Sequence, residues 1–232
     1  MCGRALLTLT EDMIEEVLED VYQVKQMTLE DYSPRYNIPP GQKMLSIIND
    51  GSINRAGFLE WKFIPPWAES EGDGYKYTNA RSETIHQKVT YRESFFTRRC
   101  LVIVDGFYEW QRSDQARVPF LFYRDNHKPF ALAGIWNTYV SQAHGEFPAG
   151  KKTYGLSIIT TRANDLMAPI HHRMPVIIKE KDMYDWLTYK TPLERLQALM
   201  EPIEEAYLKV YQVSTYVNST KNQGPTCIQR VS

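Results

Sequence analysis

The sequence predicts one α+β domain over residues 1–232, with a curled or barrel-like antiparallel β core and flanking helices. Three observations carry that prediction. Apolar and aromatic runs recur at short spacing, near 100–104, 107–112, 118–123, 130–139 and 154–161. One segment near the start has helical periodicity, and no internal repeat or linker divides the chain.

The elements follow from local chemistry. Ala5-Leu6-Leu7-Thr8-Leu9 reads as a short strand. Thr10 is an N-cap residue followed by the acids Glu11 and Asp12, and Met13, Ile14, Val17, Leu18 and Val21 recur at helical spacing, so an amphipathic helix is predicted there. The stretch from Ser33 through Pro34, Pro39 and Pro40 to Gly41 is too rich in proline for a helix or an inner strand. Residues 44–49 and 56–64 flank Asp50-Gly51-Ser52, a hairpin signal. Residues 65–83 are expected to form a long irregular loop, of a length that is usually functional or disordered. Further helices are expected from near Thr84 to Arg99, at 180–188 and at 192–200. A polar hairpin tip at 141–152, a last strand at 206–214 and a loosely held tail from Asn218 complete the reading.

Composition narrows the function classes. The 27 Lys plus Arg nearly cancel the 28 Asp plus Glu, and a net charge of −1 leaves no global pull toward nucleic acid, so such binding needs a local basic patch. Cysteines at 2, 100 and 227 form neither a disulfide framework nor a zinc pattern, and no cofactor or metal is expected. Cys100, in an apolar run, reads as a buried structural thiol. With no signal peptide or long apolar span, the expectation is a cytoplasmic protein that does not bind membranes.

Four stretches are candidates for chemistry. Removal of Met1 from Met1-Cys2-Gly3-Arg4 would leave Cys2 with a primary amine and a thiol on adjacent carbons. An α-amine titrates near ~7.7–8.0 and a thiol near ~8.5, so a minority of each is nucleophilic at neutral pH. Together they can close an aldehyde into a thiazolidine; the thiol alone can attack an acyl carbon. Asn79 and Arg81 are two apart, on one face if extended, although Ser82 or Thr84 could equally cap a helix there. Glu109 stands among aromatics in Asp105-Gly106-Phe107-Tyr108-Glu109-Trp110, either on a solvent face or as a carboxyl with a raised pKa suited to general acid–base work. His171-His172-Arg173 offers an imidazole beside a cation, or a solvated surface loop; no third ligand at metal spacing supports zinc. Arg4, Arg81, Arg98, Arg99 and Arg173, with Trp67 and Tyr75, supply cations and aromatics of the sort that single strands require.

Taken in order, these pieces resemble the SOS-response-associated peptidase (SRAP) family of abasic-site processing proteins. The resemblance runs through Met1-Cys2-Gly3-Arg4, Pro34-Arg35-Tyr36-Asn37, Ile64-Pro65-Pro66-Trp67-Ala68 and Asn79-Ala80-Arg81-Ser82-Glu83-Thr84. It continues with Arg99-Cys100-Leu101-Val102, Asp105 to Trp110, Ala133-Gly134-Ile135-Trp136 and His171-His172-Arg173-Met174-Pro175. It implies a DNA-damage protein with the SRAP fold, in which Cys2 crosslinks to the aldehyde of an abasic site in single-stranded DNA, with self-peptidase and lyase activities. By the same resemblance Glu109 and His171 form the acid–base pair, Asn79 positions the reacting groups, and Arg4, Arg81 and Arg173 contact phosphates. Trp67 and Tyr75 would meet DNA at a single-strand to duplex junction, the protein acting as a monomer. Neighbouring arginines are expected to depress both the amine and thiol pKa values. Where family members commonly read Arg-Trp-Gly-Leu, this chain has Glu60-Trp61-Lys62-Phe63, and Lys62 is expected to restore part of the lost positive charge. Two other readings stay open on sequence: an amidohydrolase with N-terminal Cys, whose usual apolar residue after Gly is here Arg4, and a non-catalytic single-strand binding module.

Overall fold

The computed structural model describes residues 2–30, 32–112, 117–126, 128–141 and 150–231. Strand β1 (Ala5–Leu7) is buried at every position. Helix α1 (Glu11–Asp20) follows where the periodicity predicts it, with Thr10 accepting from the Met13 amide and Ile14 and Leu18 facing the core. Gln23, in the left-handed region at φ 52°, turns the chain into β2 (Val24–Met27). The proline-flanked segment holds a short strand after all, β3 (Arg35–Ile38), and it lies at a sheet edge, where proline neighbours are tolerated.

The predicted hairpin is β4 (Lys43–Asn49) and β5 (Asn54–Glu60). Asp50 Oδ1 closes its turn by accepting from the Ser52 and Ile53 amides at 2.9 and 3.0 Å, and Gly51 takes φ 99°. The stretch expected to be irregular contains a 3₁₀ turn, Glu71–Tyr77, and then β6 (Asn79–Arg81). The helix expected from Thr84 is only α2 (Arg92–Thr97); residues 84–91 make separate turns, in keeping with the poor helix propensity of Val89 and Thr90. Then come β7 (Arg99–Val104), β8 (Gly106–Arg112), β9 (Arg117–Tyr123), β10 (Phe130–Val140) and β11 (Lys152–Arg162). Most of the expected hairpin tip, residues 142–149, lies outside the described residues.

Two short strands that the sequence did not signal, β12 (Arg173–Pro175) and β13 (Ile177–Ile178), follow the His pair. Helices α3 (Met183–Leu187) and α4 (Leu193–Leu199) match expectation, and the last strand is the shorter β14 (Lys209–Gln212).

Five strands close a ring. They pair in the order β11, β10, β7, β4, β5, and β5 meets β11 again through the parallel pair Glu60 and Gly155. A side chain at 155 would collide with the Lys62 carbonyl oxygen, so the closure requires glycine. Strand β7 is buried along its whole length, and Cys100 is fully buried as predicted, its carbonyl accepting from Trp186 Nε1 at 2.9 Å. Parallel pairs of β2 with β5 and of β6 with β11 make the sheet mixed rather than purely antiparallel.

The second sheet, in order β14, β9, β8, β1, β3, is antiparallel and carries the chain's start in its interior. The tail from Asn218, expected to be loose, is held instead. Val217 and Cys227 are fully buried, and Val213 bridges Arg230. Asn37, also fully buried, donates to the carbonyls of Val217, Ser219 and Asn222, which explains the order: a buried amide demands partners, and the tail supplies them.

Candidate active site

Strand pairing assembles the site. Ala5 lies opposite Phe107 and Leu6 opposite Gly106, and the Tyr108 amide donates to the Arg4 carbonyl at 2.9 Å, which brings residues 2–4 alongside Glu109. From the ring, β6 places Asn79 beside Ile158, and Asn79 Nδ2 donates to the Cys2 carbonyl at 2.9 Å. The Asn79 Oδ1 is buried and accepts no hydrogen bond among the described residues, so the amide grips the cysteine backbone while one acceptor stays available. Cys2 thus sits where both sheets meet.

Glu109 is 3 % exposed, which decides between the two readings of its stretch: it is the enclosed carboxyl, not a solvent-face residue. Burial pushes its pKa above the ordinary 4.5, against the opposing pull of positive neighbours that include His172. The Cys2 thiol is fully buried, and its pKa is raised by that burial first and by the Glu109 charge second. The expectation that arginines depress it is therefore corrected.

The physical reason lies in where the arginines point. Arg4 is 9 % exposed; its Nη1 donates to Asn37 Oδ1 at 2.5 Å and to the Val217 carbonyl at 2.8 Å, and its guanidinium lies over Trp110 at 5.3 Å. Arg173 is equally buried and engages Glu83 with both terminal nitrogens and the Thr160 carbonyl at 2.6 Å. Both guanidinium groups are tied into the fold. Of the three arginines carried over, Arg81 alone is exposed.

His171 Nδ1 lies 3.0 Å from the Arg173 amide and 3.0 Å from the Arg173 carbonyl, so the Arg173 backbone holds that edge of the ring in either tautomer. His171 lines a cavity of about 330 Å³ together with Gly3, Arg4, Glu109, Trp110, Arg117 and Asn218. Cys2, Asn79, Glu109, His171 and Arg4 thus converge. Arg81 and Arg173 stand on the strands β6 and β12 that flank β11, paired with Thr160 and Arg162 respectively.

Trp67 and Tyr75 do not line the cavity. They project from the loop after β5, 53 % and 55 % exposed. Gly41, at φ +87°, lies under the Tyr75 ring, and a Cβ there would come within 2.6 Å of it. The same loop is anchored by Lys62, whose ammonium meets Glu60 at 2.8 Å and Glu71 at 3.1 Å. Lys62 is 7 % exposed, so its charge is neutralised in place and does not restore the surface charge expected of it.

Sequence reasoning missed several site groups. His172 stacks on His171 at 4.5 Å between ring centroids. Trp110 Nε1 donates to Asn218 Oδ1 at 2.7 Å, and Arg117 forms another part of the wall. Trp110 was visible as part of the aromatic stretch, but nothing local marks Asn218, which reaches the site from the far end of the chain. Among the described residues no group of three His, Cys, Asp or Glu side chains could hold a metal ion. None of their helices is long and apolar enough to cross a membrane.

A buried carboxyl, an imidazole and a cysteine gripped by its backbone share one site where the two sheets meet. The profile of the SOS response associated peptidase (SRAP) family matches residues 1–220, and the chain belongs to that family. Similar proteins include the abasic site processing protein YoqW of Bacillus subtilis (strain 168), 41 % identical with 99 % of each chain covered. The abasic site processing protein HMCES of Xenopus tropicalis is 29 % identical over 100 % of this chain and 78 % of its own. Among solved structures, a protein from Bacteroides thetaiotaomicron shares the fold at a TM-score of 0.86 and 24 % identity, each chain fully covered. A phage-related protein from Bordetella bronchiseptica matches at a TM-score of 0.68 and 25 % identity, over 91 % of this chain and 94 % of that one.

Proposed function

We propose that this protein processes abasic sites in DNA, capturing the lesion covalently through Cys2 after Met1 is removed. One observation carries the proposal: Asn79 fixes the Cys2 backbone in the strand interface that also encloses Glu109. The names of the YoqW and HMCES relatives support the substrate.

The chemistry follows from the groups present. An abasic sugar is mostly a closed hemiacetal, so a proton must leave its hydroxyl and another must reach its ring oxygen before the aldehyde is free. A carboxyl whose pKa burial raises can donate one proton, and the His171 imidazole can accept the other. The Cys2 amine then adds to the aldehyde carbon, water leaves, and the thiol adds to the resulting imine to close the thiazolidine. The sum is aldehyde plus aminothiol giving thiazolidine plus one water. A raised thiol pKa favours this order, since the amine attacks first and the thiol need lose its proton only during ring closure. Release of Met1 is assigned to the same carboxyl, acting on the water that attacks the Met1–Cys2 peptide bond; this is the self-peptidase activity. Any strand scission would proceed from the imine by β-elimination.

Single-stranded DNA is the substrate form in this reading. Trp67 and Tyr75 offer ring faces to bases, at a junction with duplex, and Arg81 offers its charge to phosphate. Arg4 and Arg173 act from within, holding the first strand and the His segment, and the protein works as a monomer. The reading is tested by mixing the protein with an oligonucleotide bearing one abasic site. A band that survives denaturation and is lost in Cys2→Ala is expected; no such band at any salt concentration would reject covalent capture.

A further inference from the structure

His172 has no part in the capture as described, yet its exposed ring packs against that of His171, which lines the cavity. Its backbone is fixed: the Ala163 amide donates to the His172 carbonyl at 3.1 Å, and one residue earlier the His171 amide donates to Met167 at 3.0 Å. The two imidazoles lie nearly parallel, 28° between planes. With Nδ1 of His171 held by the Arg173 amide on one side and the His172 ring against its face, the His171 side chain has little freedom left.

We infer that His172 is a positioning residue for the capture reaction: its ring is a plate that holds the His171 imidazole in the cavity wall and so sets how well His171 moves its proton. The inference rests on the covalent-capture reading above. Electrostatics agree with it. The charged groups that bear on His172 are His171 and Arg173 on its own segment, Arg81 on β6, Glu109 on β8 and the amino terminus, with Glu83 paired to Arg173. His171 comes first among the causes that push the His172 pKa below its ordinary value.

Single-turnover crosslinking as a function of pH tests this, alongside binding of an oligonucleotide with a tetrahydrofuran abasic analogue that lacks the aldehyde. His172→Ala should slow crosslinking about ten-fold at saturating DNA while analogue affinity stays within about two-fold. His172→Phe, which keeps a ring and removes titration, should restore the rate to within about two-fold of wild type. His172→Asp places a negative charge beside His171 and should move the limb set by that imidazole upward by roughly one pH unit. The inference is overturned if all three variants match wild type in rate and profile, or if His172→Ala weakens analogue binding as much as it slows crosslinking. Wild-type protein that forms no crosslink would instead reject the capture reading itself, so the two failures are separable.

Discussion

At the scale of single residues the site turns on enclosure. Glu109 follows Tyr108 and precedes Trp110 on a strand, and burial holds its carboxyl above the usual 4.5. The rate limb that Glu109 governs should therefore lie above the ordinary carboxylate range, and a pH–rate profile of Glu109→Gln should lack it. The same variant should slow crosslinking by ~10²-fold or more with DNA affinity within about two-fold, as expected of a proton-transfer group; equal loss of both would contradict the role. Linkage gives a second sign. A carboxyl whose folded pKa is raised contributes stability that is complete below its unfolded pKa and is lost as pH rises through the folded value. Glu109→Gln should thus gain stability over wild type as pH rises from acid to neutral, measured by denaturant midpoint. Glu109 was legible in the sequence because its aromatic flanks are local. Arg4 was not: an exposed N-terminal arginine and a buried one look alike until Asn37 and Val217, 33 and 213 residues away, come into contact with it.

At the scale of elements, what positions the site is contact between chain ends. Gln223 accepts from the Tyr36 amide at 3.1 Å and donates to the Asn37 carbonyl at 2.8 Å, so the tail is laced to β3 on both sides of Asn37. Asn37→Ala would remove the Arg4 acceptor and the side-chain amide from which the Val217, Ser219 and Asn222 carbonyls accept. A loss of about 2–3 kcal/mol is expected, read as a melting-temperature drop of roughly 5–10 °C. The loop after β5 behaves differently, since Trp67 is half exposed and makes no part of the cavity. Trp67→Ala should weaken binding of single-stranded DNA about ten-fold, in line with one lost stacking platform, with the crosslinking rate at saturation little changed. Helix α1 and the β4–β5 hairpin were readable from caps, periodicity and Asp50-Gly51. The strands β12 and β13, three and two residues long, carry too little pattern to be read, and their pairing is set by β11 and β10.

At the scale of the whole molecule, two sheets meet and the chain's first residues lie at the join. The closed ring supplies Asn79, the open sheet supplies Glu109, and the segment leading into β12 supplies His171. Charge at this scale is modest: a net −1, Arg4 and Arg173 engaged internally, Lys62 neutralised by Glu60 and Glu71. Of the arginines assigned to phosphate only Arg81 is exposed, so the salt dependence of binding to single-stranded DNA should be shallow. At about −0.7 per phosphate contact, a log–log slope between roughly −1 and −2 is expected, and one steeper than about −4 would contradict this distribution of charge.

The central claim is a freed aminothiol at Cys2, and intact-mass measurement addresses it most directly. The purified protein should be lighter than the full chain by one methionine residue, and after incubation with an abasic oligonucleotide it should gain that strand's mass less one water. A protein that keeps Met1, or carries an acetyl group on Cys2, and still acquires the strand would contradict the account.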